Sequence, residues 1–523
     1  MGKLKLNLIV FIVAAAALNT WQLVLPNFHF DNSFSLAAAK NVADGHGYTT
    51  RQVFPGDVST VVYDPLNKWP PGYSWLLVGV MTVAHTSVIT SAYIVNGIVV
   101  FFFLAGIYLV LSALKFNTRQ INGFILFAGF FPYAFLGTWF ADLAAVSFFT
   151  LAIGLILQAH NTGRHLYLKA IAAALLCGYS IFLKYLYLPV AILPLIVWGW
   201  YSLKNKKRAQ LRAALAGSVI VMMAAVALLA YQSLHSGQPV YVNQTGKGFF
   251  PEHLLHVGPL IPASLIDQEF LTVQMDNIPG LSYAASKQVL VVLNYIMLAG
   301  LVYWIYKWWK QARWHGLYAY IVLVVTAAIA ALLMFLSVTF GPYLSEFNPF
   351  WTYVEELRYY AIVIVFLQIW LFWYFVVHKP LRAGIVYKAL RVAVIMIVLT
   401  GSLHSAYYLV KQAIIKREAG TNKKNEQVSI AALAAVEELR KQYPDLIVCS
   451  NRQELANMVS LSGAPVLYDF NALNGPLKTR KPVVLVAILH NDFLYRFYPF
   501  LQRYEPVKLG EHYDFSFYLA NIR

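Results

Sequence analysis

Charge is what this sequence has least of. Of 523 residues only 12% are Asp, Glu, Lys or Arg, where a soluble globular chain carries roughly 25%. Half the usual charge excludes an ordinary soluble enzyme and puts the chain in the membrane class. Cysteine is nearly missing as well. Cys177 sits inside an apolar segment and Cys449 in a polar tail, which excludes a disulfide framework, and no Cys or His spacing matches a zinc site. Acids are scarcer than bases, 23 against 40, for a formal net charge of +17. The bases lie between apolar segments, with no basic helix or aromatic-basic RNA motif. Membrane orientation and anionic headgroups account for them, and nucleic acid does not.

What is present is apolar: 59% of the residues are hydrophobic and the mean hydropathy is +0.59. Apolar segments fall near 5–25, 88–114, 121–138, 142–159, 167–182, 185–201, 212–233, 286–307, 317–338, 358–377 and 386–410. Each approaches the ~20 residues that cross a bilayer. MGKLK and the apolar run up to Pro26 read as an uncleaved first span with its basic end inside. A signal peptide would have a shorter apolar core and an A-x-A-like site after it. A further stretch, 71–84, is short and amphiphilic. Lying along the surface, it leaves LKFNTRQ, HNTGRHLYLK, SLKNKKRAQLR, YKWWKQARWH and VHKPLRAGIVYK all on the cytoplasmic side; counted as a span, it puts all five outside. The positive-inside rule selects the first arrangement. The expectation is therefore a mainly α, polytopic membrane protein with eleven spans, N-terminus inside, and 71–84 interfacial or re-entrant.

After Tyr408 the composition turns polar. The expected organisation is a transmembrane domain over 1–410 with a first outer loop over 26–87, a linker over 411–427, and a small extracytoplasmic α/β domain over 428–523. In the last, VSIAALAAVEELRKQY has helical spacing, while DLIVCSN, PVVLVAIL and YDFSFYLANI read as strands. It holds no glycine-rich phosphate loop and no nucleophile elbow, so no chemistry is assigned to it.

This topology gathers polar residues on the outer face, at span ends rather than span centres. Asp31 opens a short helical pattern that Gly45 and Gly47 close. It is an N-cap before S-F-S-L-A-A-A, or a general base, and a cap would fix such a base in position. Asp142, in GTWFADLAA, answers to a helix dipole and headgroups or to a catalytic role. Lys68 and Lys184 can snorkel to the interface or bind a phosphate. Arg358 has a fork suited to phosphate oxygens, which Glu355 or Glu356 could instead occupy. Asp64 precedes a proline and can simply shape a turn. Tyr360 closes the Arg-Tyr-Tyr run. His46 is a loop residue between glycines. Glu252, His253 and His256 match no zinc motif, so no metal is assigned.

Three pieces of this set carry a resemblance. The first is Asp31 followed by Ala37-Ala38-Ala39, Asn41 and Gly45-His46-Gly47-Tyr48. The second is Lys68-Trp69-Pro70-Pro71-Gly72-Tyr73. The third is Asp142, Lys184 and Arg358 to Tyr360. Together they resemble the membrane glycosyltransferases of the GT-C class, in particular bacterial relatives of protein O-mannosyltransferase and of the aminoarabinose transferase acting on lipid A. Relatives often have two adjacent acids where this chain has Asp31-Asn32, and Lys68 stands one residue further from the proline pair. The resemblance implies inverting transfer of a sugar from a polyprenyl-phosphate donor on the non-cytoplasmic face of a bacterial inner membrane. The acceptor is a protein, lipid A or an envelope glycan. Asp31 is implied as base, with Asp142 assisting. Lys68, Lys184 and Arg358 are implied to stabilise the departing lipid phosphate. No cofactor is implied, though a divalent metal stays open. A lipid donor also fits a chain with nothing built to hold a nucleotide.

A transporter or flippase of a lipid-linked or anionic solute is the competing reading. It should carry polar groups near mid-bilayer on broken helices, which the one-sided placement does not match. A ligase-like or polymerase-like transferase would centre on a later outer loop rich in Arg and His. The 234–285 loop has no Arg.

Overall fold

The structure is a computed structural model. It describes residues 2–24, 30–54, 56–131, 140–239, 248–256, 258, 260–266, 283–310, 316–339, 357–377, 384–419, 424–491, 494–512 and 515–522. Among these, seven helices are long and apolar enough to cross a membrane: Val88–Ala113, Ala141–Thr162, Leu166–Leu183, Arg208–Ser236, Leu317–Thr339, Leu357–Phe375 and Tyr387–Tyr407. The helix Gly2–Val24 includes the apolar stretch Leu6–Thr20 and the helix Tyr283–Lys310 the apolar stretch Gln288–Tyr303, while Gly72–Ala84 is a shorter apolar helix. The fold class is that of a polytopic helical membrane protein with a small sheet region toward its C-terminus.

One of the expected spans takes another form. Over 185–201 the chain makes a 3-10 turn, Tyr185–Tyr187, and then a helix of only 12 residues, Leu193–Lys204. Pro189 and Pro194 are the cause: each lacks an N–H, and Pro194 is accommodated at the start of the new helix. The segment near 121–138 begins with Thr118–Phe130, started by a reciprocal Asn117–Gln120 capping box; residues 132–139, with Trp139, lie outside the described residues. Gly72–Ala84 has 13 residues, about 20 Å at 1.5 Å per residue, shorter than a ~30 Å hydrocarbon core.

The chain divides into two compact units. The first comprises Met1–Trp21, Asn96–Tyr231 and Val240–Val410. With no water to drive association between apolar faces, its helices meet where small residues let backbones approach. A Cβ on Gly106 would stand 2.7 Å from the Leu151 backbone nitrogen, and one on Gly154 2.6 Å from Leu109 Cβ. Helices Val88–Ala113 and Phe140–Thr162 thus pack closely through reciprocal glycines.

The second unit comprises Gln22–Val95, Gln232–Pro239 and Lys411–Arg523. It is built on one seven-stranded sheet. The strands are β1 (Thr49–Phe54), β2 (Asp57–Pro65), β3 (Ile447–Ser450), β4 (Val466–Leu467), β5 (Val483–His490), β6 (Val507–His512) and β7 (Phe515–Ile522), in the order β2-β1-β4-β3-β5-β7-β6. β4, β3 and β5 are parallel to one another, and the outer pairs are antiparallel hairpins. The alternation along β5 makes two cores, because successive side chains point to opposite faces. Leu485, Ala487 and Leu489 pack with Cys449 and Leu501; Val486 and Ile488 pack with Ala432, Val436, Leu455 and Val459. The helix and the three strands expected in the tail all form, as Lys424–Gln442, β3, β5 and β7.

The hairpin β1–β2 had no strand reading in the sequence. It comes from the first outer loop and joins the C-terminal sheet through the parallel pair Gln52–Val466. Loop and tail therefore fold as one body. The stretch expected as a linker is helical to Ala419, as the end of Ile385–Ala419, and helical again from Lys424.

Candidate functional site

The site residues fall into two clusters, one per unit. In the first unit three helix ends meet. Asp142 occupies the first turn of Phe140–Thr162. Lys184 caps the C-terminal end of Leu166–Leu183, and this helix and Phe140–Thr162 run side by side. Lys184 Nζ lies 2.5 Å from Asp142 Oδ1, with side-chain exposures of 13% and 6%. So buried a pair must stay together, since either charge alone would face a large desolvation cost. Arg358 enters from the 3-10 turn Leu357–Tyr360, which leads into Ala361–Phe372. Lys184 Nζ and Arg358 Cζ lie 5.1 and 4.9 Å from the centre of the Tyr359 ring, and Arg358 Nη2 donates to the Tyr359 hydroxyl at 3.3 Å. Two cations and one carboxylate thus gather about a single tyrosine. Tyr360 is buried behind it. Glu355 and Glu356, the possible local partners of Arg358, lie outside the described residues.

In the second unit, Asp31 is half-buried in the first turn of the helix Phe30–Ala43. It is inside the helix rather than at its cap, so the cap reading gives way to a helix-dipole one: the first turn favours a carboxylate. The turn that ends this helix is as the glycines suggested. Gly45 and Gly47 have φ of +85° and +74°, values that a residue without Cβ adopts freely, and Asn41 Nδ2 donates across the turn to Thr49 O at 2.8 Å.

Lys68 is half-buried, 4.9 Å from the centre of the Trp69 ring. Trp69 stacks on Phe34 at 4.8 Å, and Phe34 on Tyr468 of the tail at 6.0 Å. The Tyr48 hydroxyl lies 3.1 Å from Trp69 O and 3.2 Å from Pro70 O. Ser74 donates to Ser35 O at 2.8 Å, and Asn457 Nδ2 donates to Ser33 Oγ at 3.1 Å. Asn457 also accepts from the Tyr468 hydroxyl. Burial, and then the charge of Asp64, push the Tyr468 hydroxyl above its usual pKa. Asp64 itself is exposed on β2.

Sequence reasoning missed Phe34, Asn457 and Tyr468, the residues that lock the loop helix to the tail. Asn457 is fully buried; an amide amid LANMVS was the only trace it left. His253, offered with Glu252 and His256, is buried in the first unit with Nδ1 donating to Ser337 O at 2.8 Å and its ring stacked on Phe250. Among the described residues no group of three or more His, Cys, Asp or Glu is placed to hold a metal ion.

No protein-family model matches the chain, and no curated protein matches it. Solved structures do. ArnT from Cupriavidus metallidurans bound to undecaprenyl phosphate is 13% identical, covering 98% of this chain and 97% of that one, with a TM-score of 0.47. The oligosaccharyltransferase AglB from Archaeoglobus fulgidus, in complex with an inhibitory peptide and a dolichol-phosphate, is 9% identical, covering 98% and 74%, with a TM-score of 0.46. The Archaeoglobus fulgidus oligosaccharyltransferase tethered with an acceptor peptide is 11% identical, with the same coverage and a TM-score of 0.48. These belong to the GT-C class that the sequence motifs resemble. At this level of likeness they give no residue its role.

Proposed function

We propose that this chain is a membrane glycosyltransferase that moves a sugar from a polyprenyl-phosphate donor to an acceptor on the non-cytoplasmic face of a bacterial inner membrane. The observation that carries the reading is the meeting of Asp142, Lys184 and Arg358 at three helix ends. A lipid phosphate presents its charge where a span ends, and preorganised cations there stabilise charge that grows as the phosphate leaves. The paired Asp142 holds Lys184 in place.

In the transfer, an acceptor oxygen or nitrogen attacks the anomeric carbon. The new bond forms as the carbon–oxygen bond to phosphate breaks, with inversion. The electron pair goes to the lipid phosphate, met by Lys184 and Arg358; Lys68, in the second unit, is a further candidate for phosphate binding. The acceptor proton goes to a carboxylate base, and Asp31, in a first helical turn of the second unit, is the candidate that the sequence motif names. Tyr360 supports the Arg358 turn from its buried position, and Asp64 is assigned no step. No metal is required by this scheme.

The test is transfer of labelled sugar from a polyprenyl-phosphate donor pool to membrane acceptors, comparing the intact protein with Asp31→Asn. Asparagine keeps the size of the side chain but cannot take the proton. Loss of about 10²-fold or more in turnover, with insertion and melting unchanged, is the expected result. Full activity in Asp31→Asn would move the base elsewhere. Absence of transfer by the intact protein with every donor, together with movement of a lipid-linked or anionic solute across sealed vesicles, would replace the enzyme by a transporter.

A further inference from the structure

Among the described residues, two arginines of the second unit converge and neither forms an ion pair with an acid. Arg51 lies on β1 and Arg440 in the last turn of Lys424–Gln442. A Cβ placed on Gly463 would be 2.6 Å from Arg440 Nη1 and 3.6 Å from Arg51 Nη1. Both side chains are half-buried. The Nε of each is buried and makes no hydrogen bond. Arg440 Nη1 donates to Ser462 O, and Arg51 lies 5.9 Å from the centre of the Tyr63 ring, on whose face His46 stacks at 3.9 Å.

Among the described residues, the acids next in sequence on these elements are engaged elsewhere. Glu438 pairs with Lys441 at 2.6 Å and Asp44 with Lys40 at 2.5 Å. Asp64 pairs in register with Thr50, while Arg51 pairs with Tyr63, so Asp64 points to the other face of the hairpin. Glu437 acts on Lys441. Burial, and then the charge of Arg51, hold the Arg440 guanidinium below its ordinary pKa. A like-charged pair of this kind is costly unless something negative joins it.

We propose that Arg51 and Arg440 form a binding site for a phosphomonoester, in the second unit and separate from the residues assigned to sugar transfer. A monoanionic carboxylate would neutralise one guanidinium and leave the other, half-buried, uncompensated. A phosphomonoester is close to a dianion above its second pKa of about 6 and has three oxygens for two planar forks. Gly463 lets the Arg440 tip lie against the backbone: its φ of +84° disfavours any side chain, and a Cβ there would stand 2.6 Å from Arg440 Nη1. The phosphate has two possible sources, a lipid headgroup or a soluble phosphate. The proposal does not depend on the transferase reading.

Hydrogen exchange of the full chain in phosphatidylcholine nanodiscs tests it. Inorganic phosphate, titrated at about pH 8 against chloride of equal ionic strength, is one arm; nanodiscs doped with phosphatidic acid are the other. The expected result in at least one arm is slower exchange confined to 49–54, 436–442 and 460–464, by about tenfold at ten times the Kd. Arg51→Gln and Arg440→Gln abolish it. Protection by inorganic phosphate identifies a soluble ligand, and protection by phosphatidic acid alone identifies a lipid headgroup. No protection in either arm, or protection undiminished in both variants, overturns the site. Should a Gln change loosen β5 and β7, Arg440→Lys decides: weaker phosphate affinity with those strands intact supports the guanidinium fork, and wild-type affinity rejects it.

Discussion

The two units place charged side chains by opposite means. Among the apolar helices, charge is held by charge: Lys184 and Asp142 stand 2.5 Å apart, nearly out of reach of water. In the loop-and-tail unit, the elements that carry Asp31 and Lys68 are held by neutral contacts. These are the Tyr48 hydroxyl against Trp69 O and Pro70 O, Asn457 against Ser33, Ser74 against Ser35, and the stacked rings of Trp69, Phe34 and Tyr468. The difference follows from the medium. Where water is excluded an ion must find a counter-ion or change its protonation. Where water is near, an ion pair contributes little, and directional hydrogen bonds and packed rings fix position instead.

Breaking the ion pair tests this most severely. Asp142→Ala removes the carboxylate bound to Lys184 and leaves a buried ammonium, at a cost of about 3–5 kcal/mol. Thermal melting of the purified protein in detergent should show a large loss. Adding Lys184→Met removes the second charge and should recover most of the stability without recovering transfer. A single Asp142→Ala protein that melts like the wild type would mean that water reaches the pair and that the two units do not differ in this way.

Asn457→Ala sharpens the other side of the comparison. It removes the donor to Ser33 and the acceptor of the Tyr468 hydroxyl. Leaving buried polar groups unpaired costs about 1–3 kcal/mol each. The expected signature is faster hydrogen exchange over Phe30–Ala43 and 465–468, with the helices of the first unit unaffected. A change spread evenly over both units would show that Asn457 acts on global stability and not on the seat of the Asp31 helix.

How much of this was legible beforehand follows the same division. The long apolar helices were plain, because composition and length alone define them. The exceptions came where proline broke a run, at Pro189 and Pro194. The tail strands showed as β-branched runs, and the glycine turn at 45–47 as two residues free of a Cβ. The hairpin β1–β2 did not show: TTRQVF and DVSTVVYDP are half polar, and nothing local in them reports a partner some 400 residues away. Asp142 and Lys184 were each visible as charged residues at span ends, but their pairing was not, since it depends on two helices running side by side. Asp31 was placed at a cap because D-N-S before an apolar run is a cap signal; the helix includes Phe30, which is neutral to that signal.

The smallest expected effect is also the one whose sign is fixed most directly. Asp57, at the start of β2, accepts from the Ser59 hydroxyl at 2.6 Å, from Thr60 Oγ1 at 2.9 Å and from the Arg480 backbone N–H at 3.2 Å. These bonds, the Ser59 hydroxyl foremost, outweigh burial and lower its carboxyl from 3.8 to about 2. A depressed folded-state pKa means that the ionised group stabilises the fold above the unfolded value and ceases to do so as pH falls through the folded one. The hairpin should therefore loosen from the segment around Lys478 between about pH 4 and pH 2. The reporter is the Val58 amide, which donates to Lys478 O at 2.9 Å, with its exchange corrected for the intrinsic pH dependence. Asp57→Asn cannot titrate and should give a flat profile over that range. If wild type and variant follow the same curve, the acid response comes from other carboxylates, and the hairpin is held to the tail by its strand pairing and core contacts alone.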